Sequence, residues 1–128
     1  MNAWLLGAAA LSVLIALVHS VLGEQRIFRH LSRAGRVVPT EGGALLREFQ
    51  VRILWGAWHG LSVMGLGLAA VLVWLADPAA QAASAGRVER CVAMAMAMTG
   101  LLVLVSNRGR HPAWLALFAA AVLVELGR

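Results

Sequence analysis

Four apolar runs divide the chain, and the polar positions gather between them rather than alternating with them. The runs cover about 3–23, 53–76, 89–106 and 112–127. A helix needs roughly 20 apolar residues to cross the hydrocarbon layer. The first two runs meet that length, and the third meets it only if it begins near Val88. Asp77-Pro78 closes the second run, because proline cannot continue a helix, and Pro112 suits the first turn of the fourth. No run reads as a strand. The pattern predicts an all-α, integral membrane four-helix bundle. Each helix satisfies its own backbone hydrogen bonds, as a lipid interior requires. The opening Met-Asn-Ala-Trp lacks the basic start of a signal peptide, so the first run is expected to stay as a helix.

The segment between the first two runs is long for so small a bundle. Its ends read as helical extensions, with Glu48 and Arg52 one turn apart on one face. Its middle, 35–43 around Pro39, reads as a non-helical turn. The expectation is one transmembrane domain, 1–128, carrying an arginine-rich loop over 24–52.

Charge orients the chain. Loop one holds Arg26, Arg29, Arg33, Arg36, Arg47 and Arg52, and the third loop adds Arg108 and Arg110. The other side has Arg87, Arg90 and Arg128. The positive-inside rule puts loops one and three in the cytoplasm and both termini on the non-cytoplasmic side. A bacterial inner membrane is the expected location. Composition agrees, with 61% hydrophobic and 13% charged residues, against about 45–50% and about 25% in soluble domains. The sequence pI near 11.6 therefore reflects topology, and no nucleic-acid partner is expected. Cys91 is the single cysteine, which excludes an intrachain disulfide.

Candidate chemistry comes from histidine. His19 lies near the end of the first run, His59 near the start of the second and His111 at the start of the fourth. In an up-and-down bundle all three fall within about 10 Å of one depth. Ionisable groups in a membrane are costly and usually face the bundle interior. On helix two, Glu48, Arg52, Trp55 or Gly56, His59 and Ser62 form a polar stripe. On helix one, Ser12, His19 and Gly23 share a face, with Glu24 on an adjoining one. His30 reads as an interfacial side chain. Each histidine taken alone is satisfied by a hydrogen bond to a neighbouring helix. Three at one level point instead to a common ligand.

The favoured ligand is haem b, for electron transfer, with His19, His59 and His111 as axial candidates. Gly23, Gly56 and Gly60 would make room for the macrocycle. Arg26, Arg52 and Arg110, with Arg108, would neutralise its propionates. A quinone or a redox partner protein would exchange electrons with it, and a homodimer would use the odd histidine. The competing reading is a single transition-metal ion (zinc, iron or copper) held by the same three histidines with Glu24. Cys91, Met94 and Met98 form a sulfur stripe that suits Cu(I), although methionine is also a common filler of apolar packing. A third reading is a cofactor-free structural or partner-binding protein, associating through Gly56/Gly60 and Ala116/Ala120. Nothing points to hydrolysis, since Ser20 beside His19 is adjacency only.

The pattern His19-Ser-Val-Leu-Gly-Glu24, Trp58-His59 and Gly109-Arg110-His111-Pro112 resembles an uncharacterised family of small bacterial four-span membrane proteins. That resemblance implies an architecture and no activity. Helix count and histidine placement are also loosely similar to the haem-binding four-helix membrane cytochromes b.

Overall fold

Asn2 starts the first helix by accepting the Trp4 and Leu5 amides on its side-chain oxygen, at 3.0 and 3.3 Å. This satisfies two of the donors every helix start leaves free. From there α1 runs Ala3–Arg26 and α2 runs Glu48–Leu75. A short α3 covers Pro78–Ala83, followed by α4 at Arg87–Asn107 and α5 at Ala113–Leu126. The structure is a computed structural model that describes residues 1–33, 35–83 and 86–126, the side chains of 81 and 83 excepted. Gly127, the expected end of the fourth run, and Arg128, counted in the charge balance, lie outside the described residues.

α1, α2 and α4 are long and apolar enough to cross a membrane, and α5 is a shorter apolar helix. The 14 residues of α5 reach about 21 Å at 1.5 Å each, short of the roughly 30 Å hydrocarbon layer. α2 begins five residues before the expected 53, because Glu48 and Arg52 do pair, at 3.4 Å. Asp77-Pro78 ends α2 as expected, but Asp77 then caps α3, its carboxylate accepting the Ala79 amide at 3.0 Å. The segment between α1 and α2 carries a 3-10 turn at Phe28–Leu31, then irregular chain. Leu31 holds that chain back by accepting the Thr40 and Glu41 amides.

The helices pack in series: α1 on α2, α2 on α4, α4 on α5. Among the described residues α1 and α5 share no extended interface, so the bundle is open. α1 accordingly exposes Leu14, Ile15, Leu17 and Val18, the composition expected of a face turned to lipid. Small residues set the contacts inside the row. A Cβ on Gly67 would press on Ala95, one on Gly60 would meet the Thr99 methyl, and one on Gly56 would overlap the Ser106 hydroxyl. Gly56 and Gly60, expected to make room for a macrocycle, are therefore taken up by α4.

One backbone bond sets the register of the first hairpin. The Asn2 amide donates to Ala76 O at 2.7 Å, tying the start of α1 to the end of α2. His19 and His59 each stand seventeen residues from that bond, about 25 Å along antiparallel helices. Their common depth follows from it.

Candidate functional site

At that depth a layer of aromatic and polar groups joins α1 to α2. Trp58 lies over His19, ring centroids 4.2 Å apart and planes within 7°. Its indole nitrogen donates to the His19 carbonyl at 3.0 Å. The indole reaches that carbonyl because Gly23 has no side chain, and a Cβ there would overlap the ring nitrogen. Phe28, 2% exposed, closes over both Trp58 and His59. Trp55 packs against His59 at 4.7 Å and donates its ring N–H to Glu24 Oε2 at 3.1 Å.

Inside this aromatic cage runs a polar chain. Glu24 Oε2 stands 3.4 Å from His59 Nε2, a little off a hydrogen-bond direction. His59 Nδ1 is 2.9 Å from Ser20 Oγ, and Ser20 Oγ is 2.8 Å from Ser62 Oγ. Ser62 is buried, whereas the Glu24 side chain is 40% exposed. The chain thus runs from the aqueous edge into the membrane layer.

Its proton inventory is informative. A neutral imidazole has one donor and one acceptor nitrogen, and each serine has one proton. If Ser20 donates to Ser62, His59 Nδ1 must donate to Ser20. Its Nε2 lone pair then faces a carboxylate, two acceptors that only an added proton reconciles. If Ser62 donates to Ser20 and Ser20 to Nδ1, Nε2–H points at Glu24 instead. The two arrangements differ by moving every proton one place, which is how a relay carries one proton end to end.

Ser62 and His19 also line a groove between α1 and α2 of about 470 Å³. Its other walls include Ala16, Leu61, Met64 and Gly65. His19 Nε2 is buried and has no hydrogen-bond partner. Volume and lining match small-molecule sites, which run about 300–1,000 Å³ and are mostly apolar with a few polar groups.

The remaining expected site residues sit elsewhere. His111 Nδ1 accepts the Ala113 amide at 3.2 Å, capping α5, and its ring lies 6.4 Å from Phe49. Arg52, Arg108 and Arg110 line a small cleft with Glu48, Phe49 and Asn107, on the face of α2 turned to α4. Arg26 is exposed at the last turn of α1 and does not line it. The structure therefore brings His19, His59 and Glu24 together and places His111, Arg52 and Arg110 in a second region. Among the described residues, no three histidine, cysteine or acidic side chains are gathered to hold a metal ion. Cys91, Met94 and Met98 do line one apolar groove between α2 and α4, with both methionines exposed.

Sequence reasoning missed Ser20, Trp58 and Phe28 as site members. Two signals were present: Ser20 is one turn before Glu24, and Trp55 and Trp58 flank His59 by four and one. No family model matches the chain, and neither a curated protein nor a solved structure does.

Proposed function

We propose that this chain is a membrane protein of electron transfer that binds a quinone-type headgroup in the α1–α2 groove and exchanges protons with it. The observation that carries the reading is the chain Glu24–His59–Ser20–Ser62, which ends at the groove wall. Quinone reduction takes up protons and quinol oxidation releases them, deep in a medium without free water. A path to an exposed carboxylate answers that need. His19 Nε2 and the Ser62 hydroxyl would hold the headgroup oxygens, and the apolar walls would hold the tail. Electrons would come from a separate redox protein. The reading sets the Glu24 end in the cytoplasm and both termini outside, in a bacterial inner membrane, and the arginine excess of the loops supports that orientation.

Titrating short-chain ubiquinone or menaquinone into the detergent-purified protein should quench tryptophan fluorescence saturably, since Trp58 lies against His19. Ser62→Ala should weaken that binding about five- to tenfold, the worth of one hydrogen bond of about 1 kcal/mol. Quenching that never saturates, or that ignores the Ser62 change, would remove the quinone from this groove.

A second reading, haem b, is favoured by the unpartnered His19 Nε2, because Met64 lines the same groove and histidine–methionine pairs ligate haem in cytochromes. Of the histidines, His19 is the one that lines the groove beside Met64, while His59 Nδ1 is engaged by Ser20 and His111 Nδ1 by Ala113. Haem predicts a Soret peak with sharpened bands on dithionite reduction, lost in His19→Ala. A featureless spectrum from protein made with ample haem would leave the quinone reading standing alone.

A further inference from the structure

The arginine cleft between α2 and the α4–α5 turn has no part in the proton path. Arg52, one turn into α2, is 7% exposed, so its guanidinium is withdrawn from water. Its Nη1 reaches Glu48 at 3.4 Å, but its Nε is buried without a hydrogen-bond partner. A buried donor on a full charge is costly to leave unmet. Glu48 is shared, with Arg108 Nη1 at 3.8 Å from the same oxygen. Arg110 lines the cleft as well, and Arg36 lies within electrostatic reach of Arg52. Three lining arginines against one lining carboxylate leave the cleft two positive charges in excess.

The backbone holds this arrangement. Arg108 sits at φ 51°, ψ 41°, the one non-glycine residue with positive φ among those described. That left-handed turn stops α4, and the Gly109 amide donates back to Leu104 O at 2.9 Å. It delivers Arg108 and Arg110 to the same cleft from opposite sides of a tight turn. A non-glycine residue costs about 1–2 kcal/mol in this conformation. Trp114, donating to Gly109 O at 3.2 Å, fixes the turn to the start of α5.

We propose that this cleft binds the phosphate of an anionic phospholipid headgroup. The cavity is small, about 40 Å³, and suits a group of roughly phosphate size. Guanidinium forks match phosphate oxygens in pairs. The cleft lies at the ends of two apolar helices, with half-exposed Phe49 in its wall to meet the first acyl carbons. Basic pockets between membrane helices recognise lipid headgroups by this chemistry.

The test uses the full chain, delipidated in a neutral detergent, with phosphatidylglycerol, phosphatidylcholine and inorganic phosphate as separate probes. Phosphatidylglycerol should raise the thermal midpoint saturably and bind at least tenfold tighter than phosphatidylcholine. Arg110→Gln and Arg108→Gln, both at exposed positions and with helix content checked by circular dichroism, should each weaken it about tenfold. Equal stabilisation by inorganic phosphate at matched concentration would assign the cleft to free phosphate and overturn the lipid. Equal binding of phosphatidylcholine, or full binding by both arginine variants, would overturn it too. The Ser62→Ala protein should bind phosphatidylglycerol normally, which separates this result from the fate of the quinone reading.

Discussion

Gly23→Ala should be among the most damaging single methyl additions in this chain. The new Cβ falls on the Trp58 indole nitrogen, at a contact no small rotation relieves. Trp58 must swing away, and three interactions leave with it. They are the bond to His19 O, the face-to-face stack on His19 and the edge contact with Phe28. Overpacking costs about 1–3 kcal/mol and a lost hydrogen bond about 1 kcal/mol, so destabilisation of about 2–4 kcal/mol is expected. Gly7→Ala provides the opposite sign. Nothing lies within 4 Å of a Cβ there, and alanine favours a helix over glycine by up to about 1 kcal/mol. Unfolding in SDS-containing mixed micelles, followed by far-UV circular dichroism, reads both. If the two variants unfold alike, Gly23 is not seating Trp58.

Glu24→Gln should separate binding from proton transfer. The amide is nearly the same shape and keeps an oxygen for the Trp55 N–H, so the aromatic cage should hold. What it loses is the ability to take and release a proton beside His59 Nε2. A positioned acid–base group is worth about 10²- to 10⁴-fold in a proton-transfer step. In the variant, oxidation of bound short-chain quinol by ferricyanide should therefore slow about 100-fold. Quinone affinity, read by tryptophan quenching, should stay within about twofold of wild type. His59→Gln should reproduce the slow rate. An unchanged rate in both variants would show that protons reach the groove by another way, and the relay would be wrong whether or not quinone binds.

The parts of the site legible in the sequence were those set by spacing along one helix. His59 and Ser62 fall three apart, and Glu48 and Arg52 four apart, so each pair shares a face of α2 whatever surrounds it. The shared depth of His19 and His59 was legible too, since both counts run from the ends of one hairpin. What spacing along a helix does not carry is rotation of one helix about another. His111 was grouped with the other two by depth, yet α5 packs on α4 and not on α1. The ring consequently lies beside Phe49 at the arginine cleft. Arg26 was grouped with Arg52 by charge and loop, and it ends on the exposed side of α1. The sequence offers Gly56 and Gly60 of α2 as space, and Ser106 and Thr99 of α4 fill it.

Hydropathy and charge alone determined that this chain is helical, that it carries apolar helices of membrane length and that most of its arginines flank two connections, while the fourth predicted span is a shorter helix. Those properties are sums over local residues, and no partner helix alters them. Tertiary structure decided which neighbours share a face. The Asn2–Ala76 bond fixed the register of α1 on α2, Gly23 admitted Trp58, and an open row of helices divided one expected site into two. In lipid the apolar faces of helices are nearly interchangeable, so small residues and a few hydrogen bonds choose the rotation of each. Those choices depend on pairs far apart in the chain.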